Sequence, residues 1–161
     1  MDPSYFSSDI LEFIRLLSVH KVRYLIIGGE AVIYYGHVRL TGDVDFFYDR
    51  AMDNTEALYA ALKEFWEGKV PGFESPAEFL KKGAIIQFGR PPNRIDLINE
   101  ISGVPFEKAW PNRTLEDVEI KDQNYSVFYI GLEDLIINKR QAKRYKDLED
   151  LKYLTAIDNM K

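Results

Sequence analysis

The sequence contains no cysteine and only two histidines. The missing cysteines exclude disulfide bonds, thiol chemistry and cysteine-based zinc sites, and two histidines are too few for a histidine-rich metal site. An excess of positive charge is also missing, since the net charge is −5, and this argues against broad non-specific binding to nucleic acid. No stretch approaches the ~20 apolar residues that span a bilayer. The first residues lack the pattern of a signal peptide, so we expect a cytoplasmic protein.

The composition is that of an ordinary globular protein. Hydrophobic residues make up 46% of the 161 positions and charged residues 29%. A chain of this length fits one domain and buries a sufficient core without disulfides. We therefore expect residues 1–161 to form a single domain.

Hydrophobic periodicity predicts helices that alternate with strands. Ser7, Ser8 and Asp9 are candidate N-caps for a first helix of about 12 residues. Further helices are predicted from residue 31 to near 36, from a cap at Asp53 or Asn54 to about 66, over 104–110, and from 132 onward. Strands are predicted at 24–27, 44–48, 84–88 and 94–98, with edge strands at 118–120 and 127–130. This order predicts an α/β or α+β fold in which helices flank a mixed sheet, with further helices at the C-terminus.

Two aspartates, Asp43 and Asp45, alternate with apolar residues in the second predicted strand. Because side chains alternate between the faces of a strand, both carboxylates project from one face, with their Cα atoms about 7 Å apart. Val44 and Phe46 then point into the core. Two anions on one face of an otherwise buried strand repel each other unless a cation lies between them, and a hard divalent ion with oxygen ligands suits that place.

A third acid, Asp96, repeats this arrangement between Ile95 and Leu97. If its strand lies beside that of Asp43 and Asp45, three carboxylates converge, which suits two magnesium ions for phosphoryl or nucleotidyl transfer. We therefore predict Asp43, Asp45 and Asp96 as catalytic residues and as ligands of Mg²⁺ or Mn²⁺.

A pair of glycines, Gly28 and Gly29, lies where the first predicted strand turns into a helix. Glycine lets the backbone approach a phosphate closely, and a helix N-terminus offers free N–H groups. We therefore expect phosphates at the glycines and metals at the aspartates.

These residues resemble the motif of the nucleotidyltransferase superfamily with the DNA-polymerase-beta-type fold. That motif is an apolar residue, glycine, then glycine or serine, followed after a spacer by alternating aspartate and apolar residues, with a third acid on a later strand. The matching residues here are Ile27-Gly28-Gly29, Asp43-Val44-Asp45-Phe46 and Asp96. Segments 28–45, 135–139 and 144–151 look more specifically like the abortive-infection and toxin–antitoxin branch. The chain departs from many members at Gly29, where they have serine.

The resemblance implies a magnesium-dependent enzyme that moves a nucleoside monophosphate from an NTP such as ATP to a hydroxyl of RNA, a protein or a small molecule. It also implies a toxin–antitoxin or abortive-infection setting, with an antitoxin partner or a homo-oligomer. The predicted nucleotide-binding residues are Gly28, Gly29, Arg39, Thr41 and Lys139.

Lys139 falls on the apolar face of a predicted helix. Its ammonium is expected to lie near Asp43 and Asp45 in the empty protein and to meet the triphosphate when ligand binds, so that Lys139→Met weakens NTP binding without lowering stability. The alternative is an apolar stem with its amine in water.

The other assignments also have plainer alternatives. Asp43 and Asp45 fit a half-exposed strand with solvent-facing acids, while Arg39 fits a surface ion pair and Thr41 a loop cap. The basic residues at 143–146 are predicted to form a solvated face, interleaved with the acids at 147–150. For the whole chain, the alternative is a non-catalytic nucleotide- or partner-binding module with the same fold.

Overall fold

The computed structural model describes residues 1–160, and within them six strands form one mixed sheet flanked by six α-helices. The strands are β1 (Tyr24–Ile27), β2 (Asp43–Tyr48), β3 (Ile85–Phe88), β4 (Arg94–Ile98), β5 (Thr114–Ile120) and β6 (Gln123–Tyr129). The helices are α1 (Ser8–Val19), α2 (Gly28–Tyr34), α3 (Met52–Phe65), α4 (Phe106–Ala109), α5 (Leu132–Ala142) and α6 (Tyr145–Asn159). Two short 3₁₀ turns span Pro76–Leu80 and Trp110–Asn112. The predicted fold class, a mixed sheet flanked by helices, is confirmed.

The sheet order is β3-β4-β2-β1-β6-β5. Strands β2 and β4 are parallel, as are β1 and β6, while β3–β4, β1–β2 and β5–β6 are antiparallel pairs. The strand that carries two aspartates is therefore central, and the strand that carries the third is its direct neighbour. This pairing brings together residues that are far apart in sequence.

The two faces of β2 have different surroundings. Val44 and Phe46 are buried on one face, where the ring of Phe46 meets Phe13 of α1 edge-on at a centroid distance of 5.1 Å. Phe13 also contacts Phe65 of α3, so α1 and α3 cover this face. The opposite face of β2 carries the aspartates, and its next residue along, Phe47, packs on Phe106 of α4.

Helix α1 forms as its sequence predicts. It is 12 residues long, and the Ser7 hydroxyl caps it by accepting a hydrogen bond from the Ile10 N–H. Its buried residues recur at helical spacing and include Ile10, Phe13, Ile14 and Leu17. Capping and amphipathic spacing agree here, and the boundaries follow from them.

Helix α3 begins differently from its prediction, which took Asp53 or Asn54 as the cap. It begins at Met52, after Ala51, and no side chain caps it. Asn54 is buried instead, and its amide bonds the backbone N–H and C=O of Arg23 and the C=O of Asp49. The asparagine thus satisfies backbone groups beside two strands. These tertiary hydrogen bonds outweigh its local preference for capping a helix.

The predicted edge strands at 118–120 and 127–130 are longer than expected, and one of them is interior. β5 lies at the edge of the sheet, but β6 pairs with β1 on its other side. The polar residues Glu116 and Asp117 of β5 concealed the start of this strand, because an edge strand keeps polar side chains in water. No helix within residues 1–160 is long and apolar enough to cross a membrane.

Candidate active site

The three predicted acids converge on one face of the sheet. The parallel pairing of β2 with β4 sets Asp45 opposite Asp96 and Asp43 opposite Arg94. One carboxylate oxygen from each of Asp43, Asp45 and Asp96 lies within 4.8 Å of the other two. Period-2 alternation within each strand and the register between the strands together produce this cluster.

A cation that the sequence prediction missed, Arg94, lies among these acids. Its guanidinium donates to Asp43 at 3.0 Å, through Nη2, and to Asp96 at 3.0 Å, through Nε. The guanidinium supplies one positive charge among the three acids. Its position two residues before Asp96 was the available signal, since residues i and i+2 of a strand share a face.

Each of the three carboxyls affects the pKa of the others. Burial, together with the negative charges of Asp43 and Asp96, raises the pKa of Asp45 to about 8. Burial also raises the pKa of Asp96, against the lowering effect of Arg94. For Asp43 burial acts upward too, but hydrogen bonds with the other two carboxyls and with Arg94 outweigh it and hold its pKa below the ordinary value. At neutral pH the group therefore keeps a proton on Asp45.

This donor set fits a divalent cation. It offers only carboxylate oxygens, which Mg²⁺ and Mn²⁺ prefer to nitrogen or sulfur ligands. The Gln87 amide of β3 donates to Asp96 at 3.3 Å, a contact of the kind that orients a metal ligand from behind. A cation that binds here must displace the proton from Asp45 and compete with the guanidinium of Arg94.

Gly28 links the acids to the start of α2. Its φ of +63° lies in the left-handed region that favours glycine, and a Cβ built there would overlap the Asp45 carboxylate. Any other residue at this position would strain the backbone and displace a predicted metal ligand. The following residue, Gly29, is buried in the first turn of α2.

Arg39 and Thr41 lie on the segment that connects α2 to β2. The Thr41 hydroxyl is 3.2 Å from both the carbonyl and the carboxylate of Asp43. Arg39 is paired with Asp150 of α6, at 3.2 Å between Nε and the carboxylate. Because Asp150 is buried, the plainer alternative of a surface ion pair does not describe Arg39.

Lys139 is buried, with 1% of its surface exposed, so its amine is not in water. Its Nζ lies 3.0 Å from Asp147 and 3.2 Å from Asp150. The expectation that Asp43 and Asp45 provide its anions is therefore wrong for the empty protein. The physical reason is that α6 folds back against α5 and brings its own carboxylates to the ammonium.

The segment after α5 was predicted to form a solvated face of basic residues interleaved with acids, and the structure agrees with this prediction only in part. Lys143 and Lys146 are exposed, but Asp147 and Asp150 are buried. Arg144 donates to Asp147 at 2.8 Å. Burial raises the pKa of Asp147, yet its bonds with Arg144 and Lys139 outweigh burial and leave the pKa low. The spacing i, i+3, i+7 of Asp147, Asp150 and Leu154, all buried, marked an inward face of the helix.

A cleft of about 700 Å³ joins these parts. Its wall includes all eight predicted site residues: Gly28, Gly29, Arg39, Thr41, Asp43, Asp45, Asp96 and Lys139. It also includes Arg94, Gln87, Arg144 and Lys146. A second cavity of about 870 Å³ lies farther along the same face and shares Glu100 and Ile101 with the cleft. The carboxylates lie in the smaller cavity, which is of the size of ordinary small-molecule sites.

The comparison with protein families agrees with this geometry. A family model described as a nucleotidyltransferase of unknown function (DUF6036) matches residues 8–160. The matched range includes both strands that carry the acids and both C-terminal helices. No curated protein matches the chain.

Proposed function

The chain belongs to this family of nucleotidyltransferases of unknown function, and on that premise we propose that it is a divalent-metal-dependent enzyme that transfers a nucleoside monophosphate from an NTP to an acceptor hydroxyl. The observation that carries the proposal is the convergence of Asp43, Asp45 and Asp96, with carboxylate oxygens within 4.8 Å of one another. These acids share a cleft with two glycines and with buried or paired cations. Such a cleft offers separate places for metals and phosphates.

The three aspartates would hold the metal, with Mg²⁺ or Mn²⁺ as the candidates. When bound, the metal supplies positive charge that stabilises the charge developing on the transferred phosphoryl group. The acceptor oxygen bonds to the α-phosphorus, the bond from that phosphorus to the bridging oxygen of the β-phosphate breaks, and pyrophosphate leaves. Asp96, on the strand that lies on the side of β2 away from the glycines, would accept the proton of the acceptor hydroxyl.

In this proposal the two substrates bind on opposite sides of β2. Strand β1, which leads into Gly28 and Gly29, and strand β4, which carries Asp96, flank β2 on opposite sides. With the triphosphate at the glycines, the other side of β2, where Asp96 lies, is available to the acceptor. Backbone N–H groups of the glycines, with Arg39, Thr41 and Lys139, would contact the phosphates, and Lys139 would exchange part of its pairing with α6 for the ligand.

The acceptor and the biological setting are proposed from the motif resemblance alone. The acceptor hydroxyl would belong to RNA, a protein or a small molecule. The setting would be a toxin–antitoxin or abortive-infection system, with an antitoxin partner or a homo-oligomer. The alternative is a non-catalytic binding module, and one observation favours it. Because Arg94 pairs with Asp43 and Asp96, these two acids have a positive partner within the chain, and their charges need no metal for compensation.

A transfer assay distinguishes the two functions. The protein is incubated with magnesium, each of the four NTPs labelled at the α-phosphate, and separate RNA, protein and small-molecule fractions of a cell extract. The proposal expects label to appear in one fraction, no transfer from γ-labelled NTP, and loss of transfer in Asp45→Asn. If NTP and magnesium bind but no fraction becomes labelled, the protein is the binding module.

A further inference from the structure

The space beside Gly29 is filled by side chains from another segment. A Cβ added to Gly29 would lie 2.8 Å from the Thr41 hydroxyl oxygen, 3.0 Å from the Thr41 Cβ and 3.2 Å from Nη2 of Arg39. Carbon atoms pack well at about 3.5–4.0 Å, so this position has no room for a side chain while Thr41 and Arg39 keep their places. Unlike Gly28, Gly29 is glycine because of its neighbours rather than its backbone angles.

The same contacts hold the Thr41 hydroxyl at the edge of the acid cluster. It lies 3.2 Å from the Asp43 carboxylate and 3.2 Å from the Asp43 carbonyl. A hydroxyl has one proton, so it donates to one of these oxygens at a time. When the Asp43 carboxylate is engaged elsewhere, the hydroxyl is free to donate to an anionic oxygen in the cleft.

Arg39 is held from behind. Its Nε lies 3.2 Å from Asp150, a carboxylate with 1% of its surface exposed, while its Nη2 reaches the empty side of Gly29. A guanidinium that is ion-paired at one edge and borders a cleft at the other is suited to phosphate. Gly29 therefore faces one hydroxyl donor and one cation.

We propose that the Thr41 hydroxyl donates a hydrogen bond to the NTP triphosphate, beside the Arg39 guanidinium, and that Gly29 has no side chain because this hydroxyl occupies the adjoining space. The inference rests on the proposed function of the site. It predicts that a hydroxyl can be supplied from position 29 or from position 41, because the space beside Gly29 has room for only one of the two side chains.

The first test removes the hydroxyl without changing the shape of the side chain. Binding of α,β-methylene-ATP in the presence of magnesium is measured by calorimetry for wild type, Thr41→Val and Thr41→Ser. We expect Thr41→Val to bind about 10-fold more weakly, the loss typical of a hydrogen bond to a charged group. Thr41→Ser recovers the affinity that Thr41→Val loses. Equal affinities of wild type and Thr41→Val overturn the proposal.

The second test moves the hydroxyl from one position to the other. Gly29→Ser alone is expected to lower both the melting temperature and NTP affinity, since its Cβ would meet Thr41. In Gly29→Ser/Thr41→Gly the Thr41 side-chain atoms that the new Cβ would meet are gone, and only the end of the flexible Arg39 side chain has to shift. The serine hydroxyl then enters the vacated space, so affinity returns to within about 3-fold of wild type. The matched control Gly29→Ala/Thr41→Gly relieves the same clash without a hydroxyl and remains as weak as Thr41→Val.

The outcomes separate this inference from the proposed function. If wild type binds the nucleotide but the serine and alanine double variants bind equally, the exchange of hydroxyls is wrong while the enzyme proposal stands. If wild type binds no nucleotide, the proposed function and the ligand role of Thr41 both fall. The steric part is still tested by the melting temperatures, because Gly29→Ser should lower the melting temperature of wild type more than it lowers that of Thr41→Gly.

Discussion

Asp45 is the residue whose protonation links stability to pH. An aspartate in an unfolded chain titrates near 3.8, whereas the pKa of Asp45 is raised to about 8 in the fold. Between these values the native state binds more protons than the unfolded state, so the contribution of Asp45 to the free energy of unfolding falls as pH rises. Below pH 4 and above pH 8 this contribution no longer changes.

We therefore predict that Asp45→Asn becomes more stable than wild type as pH is raised. Urea unfolding at pH 5, 7 and 9 in the presence of a chelator measures the difference, which should grow across this range because the variant has no charge to bury. Asp117→Asn, at an exposed position of β5, is the control and should show no such trend. A difference between Asp45→Asn and wild type that stays constant with pH would contradict the raised pKa.

The acids of the site were predictable from local alternation, whereas alternation places Arg94 only on the face of Asp96 and does not show that it reaches Asp43. Asp43 and Asp45 share a face by strand geometry alone, and a third acid between apolar residues was expected nearby. Arg94 was missed because its importance depends on register: only the pairing of Asp43 with Arg94 across β2 and β4 places the guanidinium between the strands. The occupants of the space beside Gly29 were also out of reach, since the contact with Thr41 is tertiary.

At the scale of elements, the junction of α5 and α6 depends on one buried lysine. The ammonium of Lys139 lies between the carboxylates of Asp147 and Asp150, and all three side chains are almost fully buried. Removing one partner of a buried ion pair leaves uncompensated charge, which typically costs about 3–5 kcal/mol. The cost here should be near the lower figure, because Arg39 and Arg144 remain as partners of the two acids.

Lys139→Met is accordingly expected to lower the free energy of unfolding by about 3 kcal/mol, contrary to the expectation from sequence that stability would be kept. Lys143→Met, at an exposed position one turn later, is the matched control and should change stability little. Urea unfolding of both variants at pH 7 measures the two changes in the free energy of unfolding. If Lys139→Met proves as stable as Lys143→Met, the buried ion network does not hold α6 to α5.

Elements were predictable where local signals agreed and unpredictable where distant partners decided. Helix α1 had a serine cap and a clear apolar stripe, and its boundaries followed. The start of α3 was misplaced because Asn54 serves the backbone of Arg23 and Asp49 instead of capping. The position of β6 inside the sheet was hidden because its partner β1 lies about 100 residues earlier, and no local pattern encodes such a pairing.

For the whole molecule, the acid cluster predicts a global response to metal. A ligand that binds only the folded state stabilises it by mass action, by about 2.7 kcal/mol at a concentration 100 times Kd. Magnesium or manganese should therefore raise the melting temperature of wild type. The variant Asp43→Asn/Asp45→Asn should fold but lose this response, since two of the three ligands are gone.

Arg94→Gln provides the companion measurement. Without the guanidinium, the metal no longer competes with a resident cation, so the metal-dependent rise in melting temperature should be larger than in wild type, while the metal-free protein should melt lower. A thermal-shift titration with magnesium measures both the melting temperature without metal and the rise in melting temperature at saturation, for wild type and for Arg94→Gln. A double aspartate variant that responds to metal like wild type would exclude the cluster as the binding site.

The pairing of β2 with β4 also governs the order in which charge accumulates during folding. A chain that emerges N-terminus first presents Asp43 and Asp45 on β2 well before β4 has been synthesised. When β4 docks, it delivers Asp96 and Arg94 together, because they lie two residues apart on one strand. The third negative charge and its neutralising positive charge thus arrive in a single docking event. A nascent or refolding chain consequently has no need to hold three uncompensated carboxylates at any stage.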